Sequence, residues 1–446
     1  MGVGTLNAAV FLDEPRMIRC GSADSATGHV AVTYRPSFSE DNRHPDLFGP
    51  LIITVLFHGR AKTKVVKSNG QTRSTYRGRA PLFHISTKIY EDSFKSAPNQ
   101  THRFPFSLHF PESVQPTMNQ AHWAADSRFR TAIGDPLPPT FMLDYHGVAR
   151  RFTAFTEYRI GATVRMPNID IKIGGLSDDA EPVVLYERPR IKLEQMLQKF
   201  HQSKDYCKVQ NEHLVPEDDR ASGFKQKAKA MFKSDYYPEY HFNVHTKYPG
   251  HIFVGQPLTF EIAIRPNESL CTAPITPEIT VHAFNANIIA HTEVRAERSL
   301  LAEPESSGNE TVAKLTGRLI DSKEPFSKAK DYTKVIKTPA VTGIPTSFST
   351  FNISHTYTLE LKYGIMAAKK VFKISKQIRV IVFPPLDLPP EPSAAGSSSR
   401  SMEEAAAPLP QYEWPPEYDE ALETEARIGE NVQGPADGKG KSVAAA

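Results

Sequence analysis

Hydrophobic and polar residues alternate with a period of two along much of this chain, the mark of half-buried β-strands. Leu51, Ile53, Val55 and Phe57 share one face of a predicted strand that stops at Gly59. Phe104, Phe106, Leu108 and Phe110 repeat the pattern, and Pro111 closes it. Phe152, Ala154, Thr156, Tyr158, Ile160, Ala162 and Val164 make one long face, with Thr153, Glu157, Arg159 and Thr163 on the other. Val183 to Tyr186 predicts a short strand, stopped by Arg188-Pro189-Arg190. After a break the alternation resumes at Leu258 to Ile264, Ile279 to Ala283, Tyr357 to Tyr363 and Ile378 to Val382. Short strands in two groups, separated by turn residues, predict an all-β chain built from two β-sandwiches in tandem.

The break differs in character. Leu193, Met196, Leu197 and Phe200 fall at the i, i+3, i+4, i+7 spacing of a helix, read here as a stripe packed on a neighbouring sheet rather than a partner-binding helix. A charged stretch with Lys225, Lys227, Lys229 and Lys233 follows. The predicted organisation is a sandwich over 5–189, a partly helical polar linker over 190–236, a second sandwich over 237–386 and a tail over 387–446. The tail collapses into Pro, Ala, Ser, Gly and Glu, a composition that builds no core and predicts disorder.

Bulk properties narrow the function. A net charge of +3 over 446 residues lacks the basic excess of a general nucleic-acid binder. Cys20, Cys207 and Cys271 are odd in number, far apart and without metal-ligand spacing, which fits a reducing compartment. The start of the chain shows no signal-peptide organisation, and Leu6 stands where a myristoylation pattern needs Ser or Thr. No apolar run approaches the ~20 residues of a membrane span. Sequons at Asn99, Asn267, Asn309 and Asn352 matter only in a secretory compartment, which nothing else indicates.

The tail holds the most specific element, Trp414-Pro415-Pro416-Glu417-Tyr418 with Leu422 four residues past the tyrosine. Adjacent prolines bias the segment to polyproline II, so little backbone freedom is lost on binding, and Tyr418 presents an amphipathic ring. WW domains read this combination with an aromatic groove and a tyrosine pocket. Leu409-Pro410-Gln411-Tyr412 is a degenerate second copy.

Several segments carry a family resemblance. Phe57-His58-Gly59-Arg60-Ala61-Lys62-Thr63-Lys64 resembles a strand-end segment of the fungal α-arrestins, the arrestin-related trafficking adaptors. Phe104 to Pro111, Leu137-Pro138-Pro139-Thr140-Phe141 and Glu157 to Ala162 continue the match in order, and Val254-Gly255-Gln256-Pro257-Leu258 resembles the opening of the arrestin C-domain. The resemblance implies arrestin-like, immunoglobulin-like sandwiches. It also implies a cytoplasmic, non-enzymatic adaptor acting transiently at the plasma membrane or endosomes. In that family the sandwiches recognise a plasma-membrane transporter or receptor, and the tail recruits a HECT-type ubiquitin ligase through its WW domains. Ubiquitination then drives endocytosis and sorting. Lysines near the interdomain region are often modified, which makes Lys225, Lys227, Lys229 and Lys233 candidate ubiquitin acceptors beside their plain role in linker solubility. One departure stands out: a single full Pro-Pro-x-Tyr, where tandem copies would add avidity.

The stretch from Arg60 to Arg79 holds Arg60, Lys62, Lys64, Lys67, Arg73, Arg77 and Arg79 with no acid between them. It reads either as a solvated hairpin or as a contact for acidic or phosphorylated cargo or an anionic lipid surface. No Gly-rich phosphate loop, nucleophile elbow or paired-Cys metal site is present, so neither enzyme chemistry, cofactor nor metal is expected. His241, His245 and His251 suit no common metal spacing and read as scattered surface residues. Two rivals remain. One is a structural sorting scaffold of the retromer arrestin-like type, with the tail incidental. The other is a secreted immunoglobulin-like adhesion protein, which would need a signal peptide and paired cysteines.

Overall fold

The computed structural model describes residues 4–387 except 38–45, 69–71, 116–122, 124–125, 130–132, 148–149, 178–179, 193–198, 221–236, 298–303, 317–323 and 328–331. The tail predicted over 387–446 lies outside the described residues from 388 onward, as do 1–3, while Asp387 still ends a strand. The fold is all-β. Among the described residues helix is confined to short 3-10 turns such as Glu212–Leu214 and Glu217–Asp219.

The first ten strands are β1 (Gly4–Leu12), β2 (Ile18–Cys20), β3 (Ser25–Pro36), β4 (Leu47–Ser68), β5 (Arg73–Ser96), β6 (Thr101–His109), β7 (Phe141–His146), β8 (Arg151–Arg165), β9 (Lys172–Gly174) and β10 (Leu185–Glu187). They form two four-stranded sheets, β6-β3-β1-β9 and β5-β4-β8-β7, with β10 pairing β2 in a small parallel bridge. The alternation seen in the sequence now has its cause. Leu51, Ile53, Val55 and Phe57 of β4 and Ile160 of β8 face Leu6, Val30, Val32 and Tyr34 of the opposite sheet. Phe57, Phe83 and Phe110 meet edge-on, and Tyr158 stacks on Phe83. The buried Tyr158 hydroxyl donates to Pro138 O at 2.5 Å.

The expected stop at Gly59 is not a stop. β4 runs on to Ser68, and the β4–β5 register shifts between Gly59 and Arg60, a bulge. A Cβ at Gly59 would lie 2.7 Å from both Phe83 Cε1 and Tyr158 Cε1. Glycine stands there because two rings close over the backbone.

The remaining strands are β11 (Ile191–Lys192), β12 (Phe200–Gln210), β13 (Glu239–Pro249), β14 (His251–Phe253), β15 (Pro257–Pro266), β16 (Ile279–Arg295), β17 (Glu305–Thr316), β18 (Thr333–Ala340), β19 (Phe348–Ser349), β20 (Ile353–Ala367), β21 (Lys370–Phe383) and β22 (Leu386–Asp387). Sheet β12-β13-β15-β18 packs on sheet β14-β21-β20-β16-β17. Val244, Phe260, Ile262 and Ile336 meet Ile288, Leu359, Leu361 and Val380 between them.

The predicted 190–236 linker needs correction. Phe200 opens β12, which pairs with β13 over its whole length, from Phe200↔Pro249 to Gln210↔Glu239. Its inward Cys207 and Val209 are buried, and its outward residues are Gln202, Lys204, Tyr206 and Lys208. That polar outer face hid the strand. Leu193, Met196 and Leu197 lie outside the described residues.

A third apolar cluster joins the sandwiches. Ala61, Val65, Ala80, Phe141, Phe152 and Ala154 from the first meet Val294, Ala296, Phe348 and Ile353 from the second. The buried Arg295 guanidinium lies over the rings of Trp123 and Phe129. Its Nε donates to Phe351 O at 2.6 Å. Arg188 donates from Nε to Leu137 O and from Nη1 to Ser347 O, each at 3.0 Å. Both arginines meet carbonyl oxygens that would otherwise be stranded at a dry seam.

Candidate functional site

The basic stretch Arg60–Arg79 lies mostly on strands. Arg60, Lys62, Lys64 and Lys67 belong to β4 and Arg73, Arg77 and Arg79 to β5, joined by the short segment 69–71 outside the described residues. Alternation sorts them. Ala61, Thr63, Val65, Gly78 and Ala80 turn toward the second sandwich and are buried, while Lys62, Lys64, Arg77 and Arg79 face the other way. A Cβ at Gly78 would sit 2.7 Å from Thr63 Oγ1 and 3.1 Å from Ala296 Cα. Asn352 Nδ2 donates across the seam to Ala61 O at 3.2 Å and reaches Gly78 O at 3.4 Å, and Thr63 Oγ1 donates to Arg295 O at 2.7 Å. The edge of β5 is met as well. Glu297 N donates to Arg77 O, and Arg79 N donates to Glu297 Oε1, both at 3.0 Å.

The outward face stacks like charges. Lys62 pairs in register with Arg79 and Lys64 with Arg77. Directly opposed like charges destabilise a ladder. Glu157 on β8 lies opposite Arg60. Its side chain is 1% exposed and takes ion pairs from Arg60, from Lys62 Nζ at 2.9 Å and from Arg159 Nε at 2.9 Å. Burial by itself raises the Glu157 pKa, but Arg60, Lys62 and Arg159 outweigh it and hold the group at about 2. Burial depresses Lys62, with Glu157 opposing. Burial and Arg60 also bring His58, the next outward residue on β4, down to about 4. The face thus sets Arg60, Lys62 and Arg159 on one carboxylate and carries Lys64, Arg77 and Arg79 further along the same ribbon, with Asp144 and Glu181 at its margins. Such a surface favours an anion.

Lys67 is not part of that face, and Arg73 lies on it only at its far end. Lys67 alternates to the far side of the hairpin and lines a cleft of about 400 Å³ between the sandwiches, with Arg128, Arg150, Glu293, Glu305 and Ser307. Arg73 opens β5 opposite Ser68, beyond the like-charged pairs. In the cleft Arg128 Nη2 is 2.9 Å from Glu305 Oε1, and Arg150 Nη1 donates to Ser307 Oγ at 2.7 Å.

A scan against protein-family models finds no match for this chain, and neither does a search of characterised proteins. The site is therefore read from its own chemistry. Among the described residues no helix is long and apolar enough to cross a membrane, and no group of His, Cys, Asp and Glu is arranged to hold a metal ion.

Pro415, Pro416, Tyr418 and Leu422, the degenerate Leu409, Pro410 and Tyr412, and Lys225, Lys227, Lys229 and Lys233 lie outside the described residues. The expectation for the histidines changes in part. His245 is exposed and His251 meets the Phe383 ring edge-on, but His241 is 6% exposed and hydrogen-bonded at both ring nitrogens. Of the cysteines, Cys207 is buried and pushed up to about 11 by burial, Cys271 is half-buried and Cys20 is exposed.

Sequence reasoning missed Asn352 and Glu157. Asn352 stands in a sequon, yet it is fully buried and spans the two sandwiches. Glu157 falls on the polar face of its predicted strand, and nothing near it in sequence signals that three cations close over it. The one available signal was the run Arg60-x-Lys62, whose charges on a strand call for an acid on the neighbouring strand.

Proposed function

We propose that this chain is a non-enzymatic, arrestin-like adaptor. Pro415, Pro416 and Tyr418, with Leu422 beside them, dock the WW domains of a HECT-type ubiquitin ligase. The paired sandwiches hold a membrane-protein cargo, a plasma-membrane transporter or receptor. Proximity then makes ubiquitin transfer selective and directs the cargo to endocytosis and sorting. The adaptor works from the cytoplasm, transiently at the plasma membrane or endosomes.

The observation that carries the cargo half is the like-charge register of β4 and β5. Lys62 opposite Arg79 and Lys64 opposite Arg77 concentrate positive charge on one face, which favours an acidic or phosphorylated segment laid across it. Arg77 and Arg79 are exposed, so the ligand meets them without any rearrangement of the core.

The test uses the full-length protein in two arms. Immobilised WW domains of a HECT-type ligase should bind it with micromolar Kd, and Tyr418→Ala should weaken that at least tenfold without altering the fold. Equal binding by the variant removes the ligase half. A phosphorylated acidic peptide should bind less tightly as salt rises, and roughly tenfold less tightly to Arg77→Gln/Arg79→Gln. A salt-independent affinity, or one the double variant leaves unchanged, removes the cargo half.

A further inference from the structure

A separate cluster sits on the outer face of the second sandwich, on β12 and β13. Tyr206 and Lys208 of β12 lie opposite Asn243 and His241 of β13. The His241 imidazole is engaged at both nitrogens. Nε2 lies 2.9 Å from Glu239 Oε2, and Nδ1 is hydrogen-bonded to the Tyr206 hydroxyl. The other Glu239 oxygen is 2.6 Å from Lys208 Nζ. These hydrogen bonds from Lys208 and His241 hold the Glu239 carboxyl below the usual range.

The order of the chain fixes its chemistry. An ionised carboxylate only accepts, so His241 Nε2 carries the hydrogen that Glu239 receives. In the neutral ring Nδ1 is then a lone pair, and the Tyr206 O–H donates to it. Carboxylate, imidazole and hydroxyl therefore stand in the sequence orienter, base, nucleophile. The base is buried and held, while the nucleophile is 56% exposed. β12 is an edge strand of its sheet, so the phenol is approachable from outside. Lys204 and Lys208 flank Tyr206 two residues away on the same face.

We propose that Tyr206 is a modification site, a phenol poised to accept a phosphoryl group from an external phosphoryl electrophile. In the step the Tyr206 Oη–P bond forms and the bond from phosphorus to its leaving group breaks. The leaving group departs with that electron pair, and the phenol proton passes to His241 Nδ1, whose Nε2–H stays on Glu239. Lys204 and Lys208 then flank the new anion on the same face of the exposed edge. The inference is independent of the use made of the tail or the β4–β5 face.

Diisopropyl fluorophosphate, whose leaving group is fluoride, serves as the probe on the full-length protein, with adducts located by peptide mass spectrometry. Tyr206 should be labelled at least about tenfold faster in the native protein than in His241→Gln, since a positioned general base contributes roughly a hundredfold or more. Glu239→Gln leaves the imidazole in place and should give an intermediate rate, which also decides the matter if His241→Gln does not fold. Equal Tyr206 labelling in the native protein and Glu239→Gln, with circular dichroism showing both folded, overturns the proposal.

Discussion

Glu157 shows how much one side chain decides. Its carboxylate is nearly inaccessible and answers Arg60, Lys62 and Arg159 at once. Removing one partner from a buried ion pair leaves the others as uncompensated charge, so Glu157→Gln should destabilise the protein by about 3 kcal/mol in denaturant unfolding at neutral pH. The exposed Lys88–Glu91 pair is the control, and Glu91→Gln should change stability by less than about 0.5 kcal/mol. The acid limb follows with a definite sign. The Glu157 pKa of about 2 lies below the value of 4.5 for an unperturbed glutamate. Its contribution is complete above pH 4.5 and disappears as pH falls toward 2. Stability measured against pH should lose part of its slope in that window in Glu157→Gln. An unchanged slope would show that the carboxylate is not held as described. None of this was legible locally, because Arg60 and Glu157 are 97 residues apart in sequence.

At the scale of the element, the β4–β5 hairpin is one ribbon with two uses. Its inward side is small and apolar, with Ala61, Val65, Gly78 and Ala80 against the second sandwich, and its outward side is cationic. The sequence pattern marks only the Leu51–Phe57 face of this ribbon and assigns the bulge at Gly59 to a strand end. A chain terminator and a bulge look alike in sequence, since both call for a residue without a Cβ. The structure separates them because Phe83 and Tyr158 both approach the Gly59 Cα side. Gly59→Val should therefore force the rings apart and cost about 2 kcal/mol, read as a lower denaturant midpoint with weakened near-ultraviolet dichroism. A variant as stable as the parent would place the rings elsewhere. The same local ambiguity hid β12. Its outward Gln, Lys and Tyr residues resemble linker composition, and only the pairing with β13 reveals the strand.

Across the whole molecule, the two sandwiches share a seam with its own apolar cluster and its own polar ties. Asn352 reaches Ala61 O and Gly78 O, Arg295 lies on the Trp123 and Phe129 rings, and Arg188 ties Leu137 to Ser347. Backbone carbonyls stranded in such a seam are expensive. Asn352→Ala should lower stability by about 2 kcal/mol and split thermal unfolding into two resolved steps, as the sandwiches lose their coupling. A single cooperative transition at the parental midpoint would mean that the seam is held by its apolar contacts alone.

The alternation of side chains determined by itself that the chain is all-β, and it marked the buried faces of strands such as β4, β8, β15 and β20. It did so because the period of two is a property of neighbouring residues. The Pro-Pro-x-Tyr element is likewise a local pattern of neighbouring residues, and it lies outside the described residues. The tertiary structure alone decided which cations share a face, which acid they surround, and that Asn352 is a tie between sandwiches rather than a surface amide. It also decided that Tyr206, His241 and Glu239 form one hydrogen-bonded chain. Those relations depend on register between strands and on packing between sheets, and alternation within a strand carries no information about either.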